Sequence, residues 1–115
     1  MRQEVQVRAM KLGFRAVDQT KLVTAASEIA RNTLDHGQGG TVDMEFVERN
    51  GQFGISLTFE DRGPGIADIA EAMEDGFTTS TGFGLGLPGA KRLVHEFRIQ
   101  SETGRGTKVV LVRWS

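Results

Sequence analysis

Three polar constellations in this chain of 115 residues have types and spacings that can do chemistry. Glu28, Asn32 and His36 recur every four residues. On an α-helix, steps of four drift by only about 40°, so the three side chains form one row. That row lies on the flank of an apolar stripe, Leu22, Ala26, Ile29 and Thr33, where it can line a crevice between the helix and its neighbours. Asn32 offers Mg²⁺ a hard oxygen ligand, and Glu28 can take a proton from a hydroxyl or water. Taken alone, the commoner reading of such a row is the solvated side of a surface helix.

The second constellation is Asp61-Arg62-Gly63-Pro64-Gly65, directly after an apolar run. A carboxylate held at a strand end can accept hydrogens from an exocyclic amine such as the N6 of adenine. The glycines let backbone approach a flat base closely. An ordinary Gly-Pro turn has the same composition. The third is the loop from Thr78 to Gly89, with Gly82, Gly84 and Gly86 able to turn several backbone N–H groups into one concavity. Pro88 opens a helix behind it, with Lys91 and Arg92 one turn on, which together make an anion site. A flexible surface loop is the plain alternative.

Two better-known nucleotide loops are excluded. Gly84-Leu85-Gly86-Leu87-Pro88-Gly89 matches G-x-G-x-x-G, but it follows a polar loop and no βαβ unit surrounds it. It fails as a Walker A loop because Ala90 follows Gly89, and the signatures of eukaryotic-type kinases are missing too.

The elements that must position these groups follow from periodicity. A short helix is expected from about Glu4 to Leu12, closed by Gly13. A long one follows from Gln19 to about Asp35, with Asp18 as N-cap and Val17 as hydrophobic staple, ended by Gly37-Gln38-Gly39-Gly40. Val42, Met44 and Phe46 alternate with polar residues, as do Ile55, Leu57 and Phe59, and Asn50-Gly51 between them signals a hairpin. A short helix is expected around Asp68 to Met73. Another runs from Pro88 to about Glu96 with Leu93, Val94 and Phe97 inward. Phe97 to Ser101 and Lys108 to Val112 read as strands joined by Thr103-Gly104-Arg105-Gly106. The expected fold is α+β in two layers, with helices on one face of a mixed, mostly antiparallel sheet, as a single domain over residues 1–115.

The composition narrows the classes. Fourteen basic and fifteen acidic side chains leave no field that would draw nucleic acid or an anionic membrane. Cysteine is absent, so disulfides, thiolate zinc sites and cysteine nucleophiles are excluded together. No signal peptide or apolar run of spanning length is present, and the cytoplasm is the expected compartment.

The three constellations occur together and in order, and in that order they resemble the GHKL (Bergerat-fold) ATPases. Glu28-x-x-x-Asn32 resembles the N box, Asp61-x-Gly63-x-Gly65 the G1 box, and Gly82-x-Gly84-x-Gly86-Leu87 the G2 box. Gly106-Thr107 is similar to the glycine–threonine that closes the adenine pocket in that class. Met73 to Ser80, Gly86 to Leu93 and the ending Val112-Arg113-Trp114 are similar to the RsbT switch kinases of bacterial stressosomes.

The resemblance implies a cytoplasmic serine/threonine protein kinase. It implies phosphorylation of STAS-domain antagonist and scaffold proteins, followed by binding and activation of a PP2C-type phosphatase. ATP or ADP and Mg²⁺ would be the cofactors. Glu28 would be the general base on the substrate hydroxyl, Asn32 the Mg²⁺ ligand and Asp61 the acceptor of the adenine amine. His36, Gly63, Gly65, Ile66, Thr79 and Thr107 would complete the nucleotide site, and Gly82, Phe83, Gly84, Leu85, Gly86 and Leu87 would cover the phosphates.

RsbT-like proteins usually carry a strand ahead of the first helix, whereas this sequence is expected to begin at or inside that helix. In related anti-sigma factors that strand and helix take part in dimerisation, which leaves the oligomeric state open, a homodimer among the alternatives. Two alternatives compete. An anti-sigma factor would sequester a sigma factor, with kinase activity secondary. A detached histidine-kinase ATPase domain would need a phosphoacceptor histidine, and neither His36, on the N-box helix, nor His95, near Phe97, is placed as one.

Overall fold

The opening residues form α1 (Arg2–Lys11), whose Val5 and Ala9 fall one turn apart and are fully buried. Gly13 closes it with φ 84°, donating to the Met10 carbonyl at 3.0 Å while Phe14 N–H reaches Ala9 at 3.0 Å. That pair of bonds is the Schellman arrangement, and the left-handed position is why glycine stands there. This computed structural model describes residues 2–35, 39–66, 73 and 86–115.

The long helix α2 (Ala16–Asp35) buries Leu22, Ala25, Ala26 and Ile29 along one stripe. It begins earlier than Asp18, so Asp18 is not the N-cap and exposed Val17 is not a staple. Asp18 sits in the first helical turn, where its carboxylate complements the unpaired N–H groups and accepts from Arg113 at 2.6 Å.

Two long strands follow, β1 (Gly40–Arg49) and β2 (Gln52–Asp61), paired antiparallel. Asn50 at φ 55° and Gly51 at φ 81° make the two-residue turn with both residues left-handed, the type I′ geometry whose twist matches the strands. The short α3 (Gly86–Arg92) then precedes β3 (Glu96–Glu102) and β4 (Gly106–Trp114). The helix therefore stops four residues short of Glu96, which belongs to β3. The helix expected around Asp68 to Met73 lies outside the described residues, apart from Met73.

The sheet order is β1-β2-β4-β3, and every pairing among the described residues is antiparallel. Strand alternation sorts the faces. Ile55, Leu57 and Phe59 of β2, with Val109 and Leu111 of β4, are buried under the helices. Met44, Phe97, Ile99, Leu93 and Val94 pack around them. Val42 and Phe46 point to the same side but belong to an edge strand and are exposed. Arg8 covers Phe46, its guanidinium carbon 5.6 Å from the ring centroid.

The other face of the sheet is solvated, and its outward row carries a clasp. Arg49 lies over the Trp114 ring at 4.9 Å and bonds Glu96 at 2.8 Å, while the Trp114 indole N–H reaches the same carboxylate at 3.3 Å. The Trp114 ring crosses β2 at Gly54, where any Cβ would meet it at 2.7 Å.

Candidate functional site

Asp61 ends β2 on the helix-covered side of the sheet, as register partner of Thr107 on β4. Its Oδ1 accepts the Gly63 N–H at 2.9 Å, an Asx turn that fixes the carboxylate and starts the glycine loop. Its second oxygen has no partner among the described residues. The loop is then laid against the β3–β4 turn: Gly104 N–H donates to the Pro64 carbonyl at 2.8 Å, and Ile66 N–H to the Ser101 hydroxyl at 2.7 Å.

Two glycines make this approach feasible. Gly65, at φ 77°, presses so closely on Glu102 that a side chain would strike its carbonyl. Gly106, at φ 89°, would collide with the Asp61 carbonyl and with Arg62. Both have the backbone angle and the contact that only glycine satisfies.

Ser101 is the hub of the cluster. Besides accepting from Ile66, its Oγ donates to the Gly106 carbonyl at 3.0 Å and lies 2.8 Å from the Thr107 hydroxyl. Sequence reasoning passed over it. The signal was present in the row Phe97, Ile99, Ser101, where a hydroxyl takes the next helix-facing place after two apolar side chains. Arg113 was missed in the same way, following Val109 and Leu111 on β4. It is 8% exposed and donates to Asp18 and, at 2.9 Å, to the Leu93 carbonyl, so it joins α2, β4 and the segment after α3.

The structure thus brings Asp61, Gly63, Gly65, Ile66 and Thr107 together at one end of the sheet, through the Asp61–Gly63 and Ile66–Ser101–Thr107 hydrogen bonds, the Asp61–Thr107 register and the close approach of Gly65 to Glu102. Glu28 and Asn32 stand on α2, half-buried, flanking the stripe that packs on the sheet. Gly86 and buried Leu87 open α3, which packs on α2. His36, Thr79, Gly82, Phe83, Gly84 and Leu85 lie outside the described residues. An open cavity of about 300 Å³ borders Asp61, Ser101 and Thr107. Its lining also includes Glu60, Gln100 and Lys108, which alternate to the solvated face, so it lies at the strand ends and takes in residues of both faces.

A carboxylate beside a hydroxyl at the end of paired strands, floored by glycine backbone, can receive a flat heterocycle that offers hydrogens at its edge. Among the described residues, no helix is long and apolar enough to cross a membrane.

Comparisons with known proteins bear on the fold and the family. Residues 17–114 match the family of histidine kinase-, DNA gyrase B- and HSP90-like ATPases. The chain is 47% identical to the serine/threonine-protein kinase RsbT of Bacillus subtilis (strain 168), over 92% of this chain and 80% of that protein. It is 33% identical to the anti-sigma F factor of Geobacillus sp. (strain WCH70), over 83% of this chain and 68% of that one. Among solved structures, the mycobacterial sensor histidine kinase MprB superposes with a TM-score of 0.63, covering 97% of this chain and 93% of that one at 22% identity, a likeness of fold. The chain belongs to the histidine kinase-, DNA gyrase B- and HSP90-like ATPase family, and within it to the serine/threonine-protein kinases of the RsbT kind.

Proposed function

We propose that the protein uses ATP and Mg²⁺ to phosphorylate a serine or threonine of a STAS-domain antagonist or scaffold protein in the cytoplasm, then activates a PP2C-type phosphatase by binding it. The observation that carries this reading is the family match over residues 17–114, which takes in both the Glu28–Asn32 flank and the Asp61 cluster.

The residues present fit the nucleotide and the metal. The second Asp61 oxygen can accept from the adenine amine, and Gly65 and Gly106 keep side chains out of its surroundings. Asn32 supplies an amide oxygen suited to Mg²⁺. Bound Mg-ATP supplies the phosphoryl group, and the metal neutralises charge on it.

The chain's own residues bind, orient and move a proton. Asp61 and Thr107 fix the base end, and Asn32 fixes the metal. Glu28, one turn before Asn32, takes the proton from the substrate hydroxyl at its carboxylate. Most of the rate then comes from positioning, as phosphoryl transfer generally requires.

Incubation with ATP labelled at the γ-phosphate, Mg²⁺ and a cognate STAS-domain protein should place label on serine or threonine. Absence of label on the partner, with ATP bound, would overturn the substrate assignment. The 33% identity to an anti-sigma F factor supports a second reading, sequestration of a sigma factor, which capture of a sigma factor by the ATP-bound protein would establish.

A further inference from the structure

The hydroxyl of Ser101 has one proton and three neighbours, and that count fixes the polarity of the site. Ile66 N–H can only donate to it, at 2.7 Å. The Gly106 carbonyl can only accept from it, at 3.0 Å, so that bond takes the Ser101 proton. With the Ser101 proton on that carbonyl, the third contact, to the Thr107 hydroxyl at 2.8 Å, is donated by Thr107. With its proton turned back to Ser101, Thr107 presents only lone pairs elsewhere. Its register partner Asp61, when ionised, also presents only lone pairs.

We infer that Ser101 is a positioning and specificity residue, which locks Thr107 as an acceptor so that the site selects a 6-amino purine over a 6-oxo purine. The inference rests on the adenine-site reading of Asp61 and Thr107. An exocyclic amine brings hydrogens to two acceptors. A 6-oxo group would bring a third set of lone pairs to the same place and meet no donor. Without the Ser101 hydroxyl, Thr107 is free to rotate its proton outward and donate to that oxygen.

The test is the ratio of ATP to ITP affinity, measured by titration calorimetry on the whole chain, with circular dichroism to confirm folding. Ser101→Ala should narrow the wild-type preference for ATP by about three- to tenfold, the worth of one hydrogen bond, chiefly by improving ITP. Ser101→Thr keeps the hydroxyl and should restore the ratio. Should Ser101→Ala fail to fold, Thr107→Val keeps the β-branched shape without a hydroxyl and should also narrow the ratio.

Asp61→Asn separates the two readings. If it weakens ATP binding while folded Ser101→Ala and Thr107→Val keep the wild-type ratio, the role of Ser101 is overturned and the adenine site stands. If Asp61→Asn leaves ATP affinity unchanged, the adenine-site reading falls and the inference falls with it.

Discussion

His95 accepts the Trp114 backbone N–H on Nδ1 at 2.9 Å, a bond only the unprotonated nitrogen can make. Burial holds its pKa below the usual 6.5, and the neighbouring Arg113 charge acts in the same direction, as does Lys21; Asp18 and Glu96 oppose them. The folded state therefore takes up a proton less readily than the unfolded chain. This contribution to stability is fully present above pH 6.5 and is lost as pH falls through the lower folded-state value. Asp18, depressed first by its bond to Arg113, and Glu96, depressed first by its bond to Arg49, have ordinary values of 3.8 and 4.5 and act in a more acid window. Thermal stability of the wild type should fall as pH drops below about 6.5, and His95→Gln should flatten that slope. An equal slope in the variant would remove His95 from the account.

At this scale the sequence was legible where a side chain's role is local. Asp61 was placed at a strand end before its glycines, and it stands there. Asp18 was misread because a carboxylate suits both the cap and the first turn of a helix, and its long-range partner Arg113 decides between them. Ser101 escaped because its meaning depends on a loop that is distant in sequence.

At the scale of elements, glycine placement sets the site. Gly104 and Gly106 share a turn and similar backbone angles, φ 82° and 89°, but only Gly106 abuts other backbone. Gly104→Ala should cost about 1 kcal/mol from the angle alone. Gly106→Ala adds a collision with the Asp61 carbonyl, so its cost should exceed that of Gly104→Ala, toward about 3 kcal/mol, and ATP binding should weaken as Asp61 and Thr107 part. Urea unfolding of the two variants checks this, and equal losses would contradict the close-approach argument. The hairpin and both strand pairs were legible because turn chemistry and alternation are local signals. The end of α3 was not, since Leu93, Val94 and Phe97 suit an inward helical face as well as a turn entering a strand.

For the whole molecule, alternation says which face a residue takes but not which strand lies beside it. The order β1-β2-β4-β3 was hidden for that reason, while the two-layer α+β architecture was not. The order matters, because it sets Asp61 of β2 beside Thr107 of β4 and Thr107 beside Ser101 of β3. The same sheet carries α2 on its inner face, with Glu28 and Asn32 on the flank of the buried stripe. On the proposed reading, the adenine end of ATP is held at Asp61 and Thr107 while the base is Glu28 on α2, so adenine binding and phosphoryl transfer should separate by mutation. Glu28→Gln keeps the side chain's size and a hydrogen-bonding oxygen while removing the base. Phosphoryl transfer to the partner should fall by at least about 100-fold, the usual contribution of a general base, with Mg-ATP affinity retained. Transfer at the wild-type rate in this variant would contradict the account.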